Sequence, residues 1–472
     1  MHILECPAEI LRSVFGEIIL TSVQQAMHAR MVCRLFDVEL IRALCTSKIL
    51  STPAFADRPV EPSILTKYLV TIARKSESSS SYPAINVILH AVKYVLEQWP
   101  QDEERRLEYI RTLCQLMVSG WPGDIHPTVN RTLRTVSGPP SPSGCWTGSP
   151  KQNIMAVATH FGLNLQVESM LNDGVKDHWT HFHSSIFRAV ERNDLQLVSL
   201  LLERGGSASL ISMNCLGHAA QHGNQAMLEL LLSAISNQKE LFSGVFLDTI
   251  ECAAAGGQLP LIHFLLQWGL THYKVIDIDA LTARTSGYQY MRIYDAILFQ
   301  ASLHGQQHVV EEALHDNADL CARPKISPLF GGALDAAASQ GHEGVVRVLL
   351  RWAERDPYPS PYYLQCALLT AMKRGWYKIA QLLLEHGVEL DYGTTCSETC
   401  FLMAAVKCGQ LDMLRLLLDV EGLDWRVDSD GCEEAYSWVV SRGYASITRE
   451  LIERGLGPVE NRGREHGDRR LK

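Results

Sequence analysis

The sequence predicts an all-α protein: a solenoid of about nine divergent helix–turn–helix repeats, preceded by a small separate helical module. Three observations carry this. A frame of apolar and small residues around a central glycine returns at intervals near 34 residues over the C-terminal two-thirds of the chain. An apolar stripe at helical spacing runs through residues 7–44 in a pattern unrelated to that frame. Between the two lies "SGPPSPSGCWTGSP", residues 137–150, whose proline, glycine and serine content marks a linker.

At 472 residues the chain is too long for one core and should divide into two to four units. Its 46% hydrophobic and 20% charged residues describe a soluble globular protein. A net charge of −9 supplies no overall pull toward nucleic acid or membrane, so any basic surface is local. The opening "MHILECPAEI" has Glu5 and Glu9 and no basic start, which does not fit a signal peptide. The most apolar stretches, such as "INVILHAVKYVLEQW", fall short of a membrane span. The 13 cysteines are odd in number and scattered singly, the pattern of reduced thiols in a cytoplasmic or nuclear protein.

Residues 1–50 form the first module. Pro7 stands at a helix start and Glu9 in its first turn, with Ile10, Leu11, Val14, Phe15 and Ile18 on one stripe. Val23, Met27, Met31 and Leu35 follow at four-residue spacing, flanked by Val32 and Phe36, and "VELIRAL" extends the pattern to Leu44. The result is a compact three-helix unit with more apolar surface than it can hide. This pattern resembles an F-box. It matches the Pro-x-Glu opening of that family at Pro7, Glu9, Ile10 and Leu11, and its apolar helix at Val14 and Phe15. The family's Arg-x-Val-Cys-Arg-x-Phe run is met at Arg30, Val32, Cys33, Arg34 and Phe36. Departures occur at Cys6, where leucine is usual, and in the long apolar "GEIILTSVQQA". The resemblance implies docking of a Skp-type adaptor of a cullin–RING ubiquitin ligase. The same helices also suit a cap over an open solenoid end, or self-association.

Residues 51–122 make a helical extension, with amphipathic helices at "SILTKYLVTIARK", "AINVILHAVKYVLEQW" and "EERRLEYIRTLCQLMV". Residues 123–150 are the linker. The repeats occupy residues 151–457, and a short basic tail, 458–472, closes the sequence.

The repeat frame is clearest in "LDAAASQGHEGVVRVLLRWA", residues 334–353. Its central residue recurs as Gly162, Asn193, Gly223, Gly257, Gly305, Gly341, Gly375, Gly409 and Gly443. An apolar or aromatic residue stands seven before each of these, from Met155 to Tyr436. A small residue, alanine in all but Val439, stands four before. These two share one face of a first helix, and the small residue lets neighbouring helices approach. Apolar residues recurring at four, five, eight and nine after the centre stripe a second helix. The centre itself should be left-handed, which glycine accepts freely and asparagine next best. Many units then close with a second glycine, as at Gly174, Gly205, Gly269, Gly387 and Gly455. The single interval of 48 residues needs an insertion around 272–295.

A period near 33, helix–turn–helix units and "LLxxG" closure resemble the ankyrin repeat. The family's Thr-Pro-Leu-His opening is absent, replaced by "GALD" at 332–335 and "CALL" at 366–369. Another paired-helix solenoid is the alternative. The ankyrin resemblance implies nine stacked repeats with one concave groove, lined by the residues just before each centre. Those positions hold Arg192, His222, His304, Gln340, Lys373, Arg374, Lys407 and Arg442, so the last three units supply four cations. A basic strip of this kind complements an acidic segment of a protein partner; a solvated face, or pairing with Asp391, Glu398, Asp424, Asp428, Asp430 and Glu433 of the connecting loops, is the alternative.

Chemistry is not evident. "DHWTHFH" groups Asp177, His178, His181 and His183, but reads as a solvated loop between repeats. His218 and His222 sit one turn apart without an HExxH frame, and "CSETC" (Cys396, Cys400) lacks a second cysteine pair. No phosphate-binding loop, dinucleotide fingerprint or nucleophile elbow is present. The expectation is a non-enzymatic protein with no cofactor: an adaptor that brings a substrate protein to a ligase, or a plain scaffold.

Overall fold

A computed structural model describes residues 43, 62–76, 80, 82–99, 104–119, 148–205, 210–211, 213–235, 242–273, 283–285, 288–291, 293–316, 328–354, 361–388, 390, 398–420 and 429–457. The F-box-like stretch, Pro7 to Phe36, lies outside them. The chain divides into two compact units. Unit 1 comprises residues 1–215 with 229–235, and unit 2 comprises 216–228 with 236–472.

Unit 1 begins with three helices, α1 (Pro62–Lys75), α2 (Pro83–Gln98) and α3 (Arg106–Ser119). Their apolar stripes converge in a core built on Leu65, Tyr68, Leu69, Ile85, Ile88, Val92 and Leu113. The first repeat follows as α4 (Pro150–His160) and α5 (Asn164–Asn172), the second as α6 (Ser185–Glu191) and α7 (Leu195–Arg204). Helix α4 starts sharply because Ser149 and Gln152 form a capping box, each satisfying the other's backbone N–H. Helix α2 packs on α4, and Ile154, Ala156 and Val157 join the bundle core. The aromatic rings of Trp99, Tyr109 and Phe161 lock this contact, with Tyr109 and Phe161 edge-on at 5.4 Å. The helical extension therefore covers the first repeat. A repeat cannot bury its outer apolar face alone, and here three helices from the same unit do so.

The third pair, α8 (Met213–Gln221) and α9 (Gln225–Ile235), falls partly in each unit. Unit 2 continues with α10 (Phe242–Ala255) and α11 (Leu259–Tyr273). The expected insertion then appears as a short antiparallel hairpin, β1 (Ala283–Thr285) with β2 (Tyr288–Met291), the one departure from an all-helical chain among the described residues. Four more pairs follow. They are α12 (Ile293–Leu303) with α13 (Gln307–Asp316), α14 (Pro328–Gln340) with α15 (Glu343–Ala353), α16 (Pro361–Arg374) with α17 (Tyr377–Glu385), and α18 (Glu398–Cys408) with α19 (Leu411–Leu418). The last pair is α20 (Ser429–Arg442) and α21 (Ala445–Glu453). First helices pack on first helices along this series, and second on second. Leu334, Leu368 and Leu402 at seven before the centre are fully or almost fully buried, as are Ala337, Ala371, Ala405 and Val439 at four before it. Proline opens α14 and α16, where its missing N–H costs nothing.

All nine central residues have left-handed backbone, from φ 55° at Asn193 to 84° at Gly341. The closing glycines are less uniform than the sequence suggests. Gly174, Gly387 and Gly455 are left-handed. Gly205 is right-handed, and Gly269 lies inside α11, against the Phe246 ring. No helix among the described residues is long and apolar enough to cross a membrane.

Candidate functional site

The turn between the two helices of each repeat is where backbone and exposed side chains meet. Counting from the central residue, the carbonyl two before it (−2) ends the first helix and lacks an intrahelical partner. In five repeats a side chain of the following repeat reaches back to donate to that carbonyl. Arg192 Nη1 bonds His160 O at 3.0 Å in unit 1. In unit 2, Gln258 Nε2 bonds Gln221 O at 3.4 Å, and Gln306 Nε2 bonds Ala255 O at 3.0 Å. His342 Nε2 lies 3.0 Å from Leu303 O, and Trp376 Nε1 donates to Ser339 O at 3.3 Å. Each of these groups passes over the central glycine of the repeat it reaches. A Cβ on Gly341 would stand 2.8 Å from the Trp376 ring. Glycine is thus required there twice, by its φ and by the side chain above it.

The groove positions read from the sequence fare differently. Arg192 is one of the bonds just described. His222 is exposed, but its ring stacks on His218 at 4.1 Å and its Nδ1 lies 2.9 Å from the His218 carbonyl. His304 and Gln340 are exposed. Lys373, Arg374, Lys407 and Arg442 are exposed on consecutive repeats of unit 2. No described carboxylate lies within ion-pair distance of these four. Two other cations of these repeats are engaged: Arg415 pairs with Glu450 at 2.8 Å, and Arg454 with Asp419 at 2.6 Å and Glu450 at 3.2 Å. Arg415 first, and Arg454 with it, hold the Glu450 carboxyl below its usual range, against burial, which pushes it up. Arg442 lies over the Trp438 ring at 5.4 Å. Beside the cations stand Trp376, Tyr377 and Tyr444, with 41%, 37% and 37% of their surface exposed. Aromatics at the turn were not part of the sequence reading. Their signal was their place, one or two residues after the centre.

"DHWTHFH" is a correction. It is not a solvated loop, because Asp177 is buried and its carboxylate accepts the N–H groups of His178, Ser185 and Ile186 at 2.8 to 2.9 Å. It caps α6 from eight residues upstream of Ser185. Arg188, 1% exposed, donates through Nε to Phe182 O at 2.7 Å and through Nη1 to Glu191 at 2.6 Å. Burial, and then the Arg188 charge, push His183 down to about 3 and His160 down to about 4, so both imidazoles are neutral. Among the described residues no three histidines, cysteines or carboxylates converge as a metal site. Cys396 lies outside them, and Cys408, its thiol pushed up mainly by burial, donates to Ala405 O at 2.9 Å.

Comparison with known proteins agrees with this geometry. The family model described as ankyrin repeats matches residues 334–429 in three copies. Among curated proteins, the ankyrin repeat and KH domain-containing protein mask-1 of Caenorhabditis elegans is 24% identical over 284 residues, 59% of this chain. The match spans 10% of that relative's length. Among solved structures, the human ASB11 ankyrin repeat domain matches 52% of this chain and 98% of its own at 21% identity. Its TM-score of 0.36 is too loose to argue from. The matched stretch contains the centres Gly341, Gly375 and Gly409, with Lys373, Arg374, Trp376, Tyr377 and Lys407 beside them, while Arg442 and Tyr444 lie beyond it. Residues 334–429 therefore carry ankyrin repeats, a module of protein interaction, and the left-handed centres before and after them keep the same geometry.

Proposed function

We propose that the chain is a non-enzymatic interaction adaptor of the cytoplasm or nucleus. Its last repeats hold a substrate protein, and its F-box-like module brings that protein to a cullin–RING ubiquitin ligase through a Skp-type adaptor. The observation that carries the first half is the row Lys373, Arg374, Lys407 and Arg442, exposed on successive repeats and without a described acidic partner. Exposed charge held in register on a repeat scaffold selects a partner of opposite charge and speeds its encounter. An acidic segment of a protein fits that role. The second half is supported by the sequence pattern at Pro7, Glu9, Ile10, Leu11, Val14, Phe15, Val32, Cys33, Arg34 and Phe36. Catalysis belongs to the recruited machinery; the repeats supply selection and proximity.

Capture of a purified Skp-type adaptor by the full chain tests the reading. Retention by the wild type and by a Lys373→Glu, Lys407→Glu variant, with loss in a Pro7→Ala, Phe15→Ala variant, is the expected result. No retention by the wild type would leave a plain ankyrin scaffold.

A further inference from the structure

We infer that the cationic row takes an acidic segment in polyproline II conformation, with a carboxylate at every third residue. This rests on the reading above, that the row is where a partner protein binds, and adds the form of the ligand.

Register fixes the row. Lys373 and Lys407 stand at −2, and Arg374 and Arg442 at −1, of successive left-handed glycines, Gly375, Gly409 and Gly443. The cations thus stand in the last turn of neighbouring first helices, Lys373 and Lys407 at one position and Arg374 and Arg442 at the next, with α16 packed on α18 and α18 on α20. Helices packed in this way lie about 8–10 Å apart. A ligand that meets each in turn must present an acid at the same step. A β-strand turns the same side toward a surface every two residues, about 6.6 Å, and falls out of step. An α-helix returns after about 5.4 Å. Polyproline II has three residues per turn and returns to the same face after about 9.3 Å, which keeps step with the repeats.

The aromatics point the same way. Trp376 lies over Gly341 and Tyr444 over Gly409, and more than a third of each side chain remains exposed. They stand two repeats apart, flanking the cations. Polyproline II segments dock on aromatic surfaces because proline fixes their backbone beforehand and lowers the entropic cost of binding. The partner chemistry is therefore a run of Glu-Pro-x or Asp-Pro-x triplets, three of them to span the Lys373–Arg374 pair, Lys407 and Arg442.

The test titrates the full chain with labelled nonapeptides and reads fluorescence anisotropy. One peptide is three Glu-Pro-Ala triplets, the second has the same composition with its glutamates adjacent, and the third has Gln in place of each Glu. The in-register peptide should bind about tenfold tighter than its clustered isomer, weaken with salt, and lose about tenfold in Lys407→Glu and again in Lys373→Glu. The Gln peptide should not bind. Equal binding of the two acidic peptides, with the same sensitivity to Lys407→Glu, overturns the polyproline II inference while the cationic row keeps its role. Failure of both acidic peptides to bind overturns the row as well.

Discussion

In unit 1 the turn of the first repeat is closed by Arg192, which stands one residue before the centre of the second repeat. In unit 2 the equivalent carbonyls are met by Gln258, Gln306, His342 and Trp376, each one residue after the centre. The first helices differ in the same sense. Helix α6 has seven residues and is held by two buried polar side chains, Asp177 and Arg188. Helices α14 and α16 have 13 and 14 residues, and their buried faces are mostly alanine and leucine. What the two regions share is the left-handed centre and the carbonyl just before it. What differs is how order is secured: by a polar network where the apolar face is short, by close packing where it is long.

Acid should separate the two regions most strongly. His160 and His183 are held neutral in the folded protein, mainly by burial. The unfolded chain protonates them near 6.5, so unit 1 loses stability as pH falls from about 6.5 toward about 4. Asp177, pushed up by burial, opposes that loss at its acidic end. In unit 2 the Glu450 carboxyl is held low by Arg415 and Arg454, so its contribution is complete above about pH 4.5 and lost only below. Hydrogen exchange, corrected for intrinsic rates, should show residues 148–205 loosening near pH 5.5 while 429–457 stay protected. Simultaneous loosening would erase the distinction.

A smaller effect comes from cutting the network directly. Arg188→Ala removes a buried charge from Glu191 and a donor from Phe182 O, and should cost about 3 kcal/mol in urea unfolding. A cost below about 1 kcal/mol would mean that packing alone holds the second repeat. Smaller again is the contrast between two glycines of unit 2. Gly341→Ala meets both a φ of 84° and the Trp376 ring, and should cost about 2 to 3 kcal/mol. Gly443→Ala, with φ 72° and nothing above it, should cost about 1 kcal/mol. Equal losses would show that conformation alone sets the requirement for glycine.

The repeat frame was legible because burial and chain reversal act at fixed positions: alanine at −4 and a left-handed residue at the centre recur whatever the rest of the repeat does. Asn193 was readable for the same reason, since asparagine tolerates that backbone. The bonds from one repeat to the next were not. Arginine, glutamine, histidine and tryptophan share only a donor and a reach, which no residue pattern announces. "DHWTHFH" misled because its polar composition suggests solvent, whereas a carboxylate that receives three N–H groups is at home in the interior. The extension over residues 62–119 showed its amphipathic helices, but an apolar stripe does not name what it will cover. The cations were visible in the sequence; the aromatics beside them needed the turn geometry.

The five reaches from one repeat to the one before it all run in a single direction along the chain. A ribosome delivers the repeats in that same order, so each of these five turns leaves it with one carbonyl still waiting, and the next turn to emerge completes it. Among these repeats, assembly is a relay in which every newcomer finishes its predecessor's work. Among the described residues the last such bond runs from Trp376 to the Ser339 carbonyl, and there the relay stops.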